Sequence, residues 1–330
     1  MFRFKDERKN RTVDSLRKFP GENAYEITYF GGYAMDEYLK CGADSLEAVF
    51  AFESAHLYEG HDFHAFSGSR HGCSGFTAHT AEGDFLVCHN LDNRIKLPAV
   101  TLAESAVTGK TLGVACLAWI FDFNSYDWER YQDIAAERPR DVNRVLSLPY
   151  RMYDGMNARG LSVVVFSAGG TEIRSYGDKI PLFDGSLYYA IVDRCKTVGE
   201  ALAFLEQYSQ APLDNPTHFQ IADASGRSVI VEYVGGKMAV LPNEKPYQVC
   251  SNFLLWNNPQ LEGFGRDRYL NYQEYLEKHN GIIGEEAAFA LLHENHVPGD
   301  ENFSVVFNLT KRKAAIQFAP AFAVTHRYQL

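Results

Sequence analysis

"GCSGFTAHTAEGDFLVCHNLD", residues 72–92, holds the reading on which the fold turns. From Cys73 the residues alternate in character, "AEGD" at 81–84 carries turn formers, and "FLVCHN" at 85–90 resumes as a second strand, so the stretch reads as an antiparallel hairpin. Its first strand opens on a cysteine set directly after a glycine. A small buried thiol following a turn would account for that pattern. The other account is chemical: the Gly72–Cys73 bond is made to be cut, leaving Cys73 as a new N-terminus. A cysteine so placed carries its own base, because an α-amine titrates near ~7.7–8.0, far below lysine, and one residue then supplies nucleophile and proton acceptor together. The amine needs a carboxylate to orient it. The hairpin brings Asp92, just past its second strand, close to Cys73.

Beyond the hairpin, "AVTLAES" at 99–105 and "LGVACLAWIF" at 112–121 continue the strand pattern. Residues 122–155 are polar and aromatic, resist both periodicities, and are long enough for a functional loop with a short helix that walls a pocket. "GLSVVVFSA" at 160–168 is a strand; "SLYYAIVDRC" at 186–195 and "TVGEALAFLEQYSQ" at 197–210 read as helices on a sheet face. "THFQIADASGRSVIVEYVGGKMAVL" at 217–241 is a meander, "YQVCSN" at 247–252 a further strand, and two helices at 265–280 and 284–295 precede closing strands at 304–310 and 314–320. Strand blocks and helix blocks are segregated, which is α+β. Residues 1–72 differ in texture: a basic start, one helix expected over 36–59, and the Gly/Ser/His-rich approach "HAFSGSRHG", the composition of a cleavable linker or of any interdomain loop.

The chain has 330 residues, 46% hydrophobic and 22% charged, enough to bury a large core as one big domain or two ordinary ones. With 32 basic against 42 acidic residues, net −10, and no long single-sign run, it lacks the footprint of a nucleic-acid binder. Its longest apolar run is about half of the roughly 20 residues a membrane span needs. No apolar leader opens the chain, and six scattered cysteines (41, 73, 88, 116, 195, 250) without CxxC spacing suit free thiols, so the expected home is cytoplasmic.

On these residues the sequence resembles the N-terminal-nucleophile amide hydrolases, the family of choloylglycine hydrolases, penicillin V acylases and acyl-CoA:6-aminopenicillanate acyltransferases. The likeness runs from about residue 73 to 310 as short motifs in the family's order. Residues 72–92 resemble the nucleophile hairpin ending in Arg-Asn-x-Asp; "YDGMNARGLSVVV" resembles Asp-Gly-x-Asn-x-x-Gly-Leu; "YQVCSN" resembles the strand ending in Ser-Asn or Thr-Asn; "GRDRY" resembles the Ser-x-x-Arg-Tyr helix start; and "FSVVFNL" resembles a late strand. The resemblance implies a four-layer αββα sandwich, two antiparallel sheets between helix layers, as a catalytic domain over 73–330 behind a pro-segment of residues 1–72 removed by self-cleavage. It implies Cys73 as nucleophile, Asp92 as the carboxylate, Asn157 and Asn252 as oxyanion donors, and Arg268 beside the thiol. His89 stands where the family carries arginine; the resemblance makes it a substrate-binding residue, with Arg94 close enough in sequence to compensate. The implied reaction is cleavage of a linear amide C–N bond through an acyl-Cys73, without cofactor or metal. Its expected partner is a small-molecule amide with an apolar acyl group, and self-association into a homo-oligomer stays open.

Acyl transfer to an amine from the same intermediate is the nearest alternative. A non-catalytic relative that keeps the fold and only binds is a third. A metal-dependent hydrolase is a fourth, raised by the spacing of His61/His64 and His293/His296, although no HExxH motif supports it.

Overall fold

The computed structural model describes residues 2–31, 33–63, 71–93, 97–121, 134–139, 141–168, 178–211 and 217–330, with the backbone alone for residues 71, 135 and 184. The hairpin of residues 72–92 is at its centre. Strands β3 (His71–His79) and β4 (Phe85–Asn93) pair antiparallel, with Cys73 opposite Leu91 and Gly72 opposite Asp92. The turn closes through Thr80 N–H to Asp84 O at 2.8 Å and Gly83 N–H to Thr80 O at 2.9 Å. A Cβ at Gly75 would fall 2.5 Å from the Cys88 carbonyl oxygen, an approach open only to glycine.

Period-2 alternation sends the hairpin's side chains to two different cores. Cys73, Phe85, Val87 and Leu91 join the larger core between the sheets; Phe76, Ala78, Leu86 and Cys88 face two helices outside. Those are α7 (Arg266–Lys278) and α8 (Glu285–His293), which contribute Tyr272, Leu276, Phe289 and Leu292 to the outer cluster. The hairpin lies in a six-stranded sheet ordered β14 (Gln248–Cys250), β3, β4, β15 (Glu301–Asn308), β16 (Lys313–Phe318), β17 (His326–Gln329).

The facing sheet has nine strands: β1 (Arg17–Lys18), β2 (Tyr25–Thr28), β5 (Pro98–Ser105), β6 (Gly109–Cys116), β7 (Asp154–Asn157), β8 (Leu161–Ser167), β11 (Thr217–Asp223), β12 (Ser228–Val234) and β13 (Lys237–Pro242). On its outer face lie α5 (Asp184–Arg194), against β7 and β8, and α6 (Val198–Leu205), against β11. Helix, sheet, sheet, helix is the four-layer sandwich expected, with a parallel β2–β5 pair as the departure from antiparallel pairing among the described residues of these two sheets. Residues 208–210, read as the end of a helix, instead join β10 (Tyr208–Ala211), which runs parallel to β9 (Ile180–Phe183).

Residues 2–63 are woven into the same core. The helix expected over 36–59 is two, α2 (Met35–Cys41) and α3 (Leu46–His56): Gly42 turns left-handed at φ +65°, and the Ser45 side chain caps the Ala48 N–H. Helix α3 carries Glu53 to Arg151 at 2.8 Å, with both side chains buried. Tyr29 donates to the Val145 carbonyl and Tyr150 to that of Tyr33. Residues 142–151 form a buried 3-10 strap against this segment, with Tyr150 and Tyr153 in the core, while the short helix expected within the stretch 122–155 is α4 (Ile134–Glu137), whose Ala136 and Glu137 are exposed. The segment 122–133, the linker at 64–70 and Arg94 lie outside the described residues. No helix among the described residues is long and apolar enough to cross a membrane.

Candidate active site

Cys73 is fully buried where four elements meet, and its thiol points between the sheets because it shares the inner face with Leu91. Its backbone N–H donates to Asn252 Oδ1 at 2.8 Å, just beyond β14. Arg268, in the first turn of α7, donates through Nη1 to the Cys73 carbonyl at 3.1 Å and to Asp92 Oδ2 at 3.2 Å, and through Nη2 to Asn252 Oδ1 at 2.7 Å. One guanidinium therefore gathers the cysteine, the aspartate and the asparagine through its rigid fork.

Glycines make room for this cluster. Gly265 precedes α7 at φ +80°, and a Cβ there would stand 2.5 Å from Arg268 Nη2 and 2.3 Å from Ser251 Oγ. A Cβ at Gly72 would sit 3.2 Å from Val297 Cγ2 and 3.4 Å from Asp92 Cβ, so residue 72 lies in a slot that a side chain would crowd. That is a structural reason for glycine ahead of the cysteine, and it holds whether or not the bond is cut.

Burial dominates the electrostatics. It pushes the Cys73 thiol well above its ordinary value and the neighbouring Asp92 charge adds to this, while the Ser167 backbone N–H and Arg268 act the other way and are outweighed. Burial also raises the Asp92 carboxyl to about 7 against the pull of Arg268. A thiol held in its neutral form needs a base close by before it can attack.

The structure brings Cys73, Asp92, Asn252 and Arg268 together, and it does not bring Asn157 to them. Asn157 Nδ2 donates to the Val192 and Cys195 carbonyls at 2.7 and 2.9 Å, and its Oδ1 accepts from the Arg159 and Leu161 N–H groups. It is a turn-closing residue that ties β7 to the end of α5. Ser167, ten residues on, is the residue of this stretch that lies against the cluster: it ends β8 with its N–H toward the thiol, and its carbonyl accepts from Asn252 Nδ2 at 3.1 Å. A strand-end serine carries no signal of this placement. Ser251, also unmarked by the sequence, donates to the Gly265 carbonyl at 3.0 Å beneath the cluster.

His89 lies opposite Gly75 on the inner face of β4, fully buried, with Nδ1 2.6 Å from Asp154 Oδ2. Its imidazole is engaged across the sheets by a carboxylate of the protein itself. Of the histidines weighed for metal binding, His293 stacks on Phe322 and His296 lies 3.5 Å from Glu301, while His64 is outside the described residues.

Residues 143–281 match the family model of linear amide C–N hydrolases, choloylglycine hydrolase family. The match takes in Asn252 and Arg268 and begins after Cys73 and Asp92. A variant of conjugated bile acid hydrolase from Clostridium perfringens superposes with a TM-score of 0.52 at 13% identity, over 78% of this chain and 92% of that one. Penicillin V acylase from Agrobacterium tumefaciens superposes with a TM-score of 0.52 at 15% identity, over 77% and 84%. These likenesses show a shared fold, the one the sequence resemblance implied. No curated protein sequence matches the chain.

Proposed function

We propose that this chain is a linear amide C–N hydrolase of the choloylglycine hydrolase family, a reading supported by the family match over residues 143–281, and that it cleaves its substrate through an acyl-thioester on Cys73 after cutting itself at Gly72–Cys73. The observation that carries this reading is the single guanidinium of Arg268 bonded to Cys73, Asp92 and Asn252 at once.

In the uncut chain the Cys73 nitrogen is an amide and cannot serve as a base. Attack of Sγ on the Gly72 carbonyl carbon forms an S–C bond and breaks the C–N bond, which leaves a thioester and an α-amine; water then releases the Gly72 carboxylate and the free thiol. The new amine takes the proton that burial holds on the thiol, and Asp92 and Asn252 Oδ1 are placed to orient it. During turnover the thiolate adds to the substrate carbonyl. The Ser167 N–H, with the second Nδ2 hydrogen of Asn252 that the Ser167 carbonyl leaves over, would stabilise the oxyanion, the α-ammonium protonates the departing amine, and water resolves the acyl-cysteine.

Self-cleavage would nick the protein without shedding residues 1–72. Strand β2 remains bonded to β5, and the buried Glu53–Arg151 pair holds α3 to the strap.

Mixing the enzyme with N-acyl amides of graded chain length, quenching in acid and digesting should show the acyl mass on the Cys73 peptide. An acyl adduct on any other residue, or turnover with no adduct while a chelator abolishes it, would overturn the proposal. Added amine acceptors or acyl-CoA separate the two fates of the intermediate: free acid in excess is hydrolysis, and acylated amine in excess at modest acceptor concentration makes the protein an acyltransferase.

A further inference from the structure

Two buried ionisable residues outside the cysteine cluster reach into it. His218 on β11 and Glu232 on β12 are fully buried in the nine-stranded sheet. His218 Nδ1 lies 2.9 Å from Glu232 Oε1 and Nε2 lies 2.7 Å from the Ser251 carbonyl oxygen. Glu232 also accepts from the backbone N–H of Leu255 at 2.8 Å and of Trp256 at 2.9 Å. Three of the four contacts bracket Asn252, one on the residue before it and two on the third and fourth residues after it. The Ser251 carbonyl belongs to the peptide plane that enters Asn252, so fixing its oxygen fixes the direction in which the Asn252 side chain leaves the backbone.

We infer that His218 and Glu232 are a positioning pair, reaching across from the nine-stranded sheet to hold Asn252 in the orientation that meets Cys73. This rests on the proposed role of Asn252 beside the nucleophile. The imidazole is suited to the task because its two ring nitrogens lie on opposite sides of a rigid ring, one against a carboxylate and one against a carbonyl, and both partners are acceptors. Glutamine can supply one of those contacts and not both. Burial raises the Glu232 carboxyl, but the imidazole and the two backbone N–H groups outweigh it and hold the group below the ordinary carboxylate range, as an anion. Burying an imidazole and a carboxylate carries a desolvation cost that a packed apolar pair would avoid. Phe166 completes the contact: its ring meets His218 edge-on at 5.7 Å, and the next residue, Ser167, accepts from Asn252 Nδ2.

The test uses full-length wild type, His218→Gln, Glu232→Gln and the double variant. Self-cleavage is read by intact mass, and kcat and KM are measured per cut chain on an N-acyl amide that wild type hydrolyses. Each single variant should lower kcat about 10- to 100-fold with KM within about threefold, and the double should be no worse than the poorer single, because the pair acts as one unit. Unchanged kcat per cut chain with only a lowered melting temperature would make the pair structural and overturn the inference. Glu232→Gln keeps the side chain's size and serves if His218→Gln does not fold. A reading independent of variants is nitrogen-15 NMR of the wild type, where one histidine should show slowly exchanging protons on both ring nitrogens; no such histidine would contradict the contacts. If wild type neither cuts itself nor turns over amides, the role of Cys73 fails instead, and the NMR result still reports on the pair.

Discussion

Cys73→Ala is expected to remain one uncut chain of 330 residues and to lose amide turnover by about ten-thousand-fold or more. The two losses share one cause, since the same sulfur attacks Gly72 in the uncut protein and the substrate afterwards. Cys41→Ser is the control: Cys41 is exposed on α2, and the variant should cut and turn over as wild type does. The other four cysteines, Cys88, Cys116, Cys195 and Cys250, are buried away from solvent. Cys73 is buried as well, so reactivity and not exposure separates it from them: with the new α-amine beside its sulfur to take the proton, alkylation of the cut enzyme should inactivate in step with loss of the Cys73 thiol. Inactivation that tracks another cysteine would move the nucleophile.

Arg268→Met is the second large effect, with turnover expected to fall about 100- to 1000-fold, because oxyanion and nucleophile geometry fail together. The substitution removes the cation that counters burial of the Asp92 carboxyl, whose value already stands at about 7. Breaking a buried pair from one side costs about 3–5 kcal/mol. The pH dependence gives the sign. Asp92 has a folded value above its unfolded one of about 3.9, so the folded state binds the extra proton and stability falls as pH rises from about 4 to the folded value. Removing Arg268 lifts the folded value further and extends that fall upward. Both proteins are best measured on the uncut Cys73→Ala background, which keeps one chain throughout. There, the stability lost to Arg268→Met should grow from pH 6 to pH 8. A loss that stays constant across that range would show that Arg268 does not carry the Asp92 charge.

Much of this site is legible in the sequence because its parts lie on strongly patterned elements. The hairpin of residues 72–92 alternates cleanly around a four-residue turn, which places Asp92 opposite Gly72 with no tertiary information, and the helix that opens at Gly265 puts Arg268 in its first turn. Asn157 shows where a motif stops short. Its Asn-x-x-Gly spacing marks a tight turn, and the turn needs that side chain for its own N–H groups and for the end of α5. The residue that meets the thiol comes at the far end of the following strand, at Ser167, where the two sheets face each other. Contacts between sheets leave no period in the chain, which is also why the His218–Glu232 pair and the His89–Asp154 pair are visible only in three dimensions. Residues 1–72 differ from the rest in composition, yet their strand β2 docks on β5 through backbone hydrogen bonds that composition does not report.

The most direct test of the central claim is the intact mass of wild-type protein under denaturing conditions, paired with its elution as a native species. The account predicts two polypeptides, residues 1–72 and 73–330 with cysteine at the new N-terminus, that elute as one particle until unfolded. A wild-type protein that stays a single chain while it hydrolyses amides would contradict it.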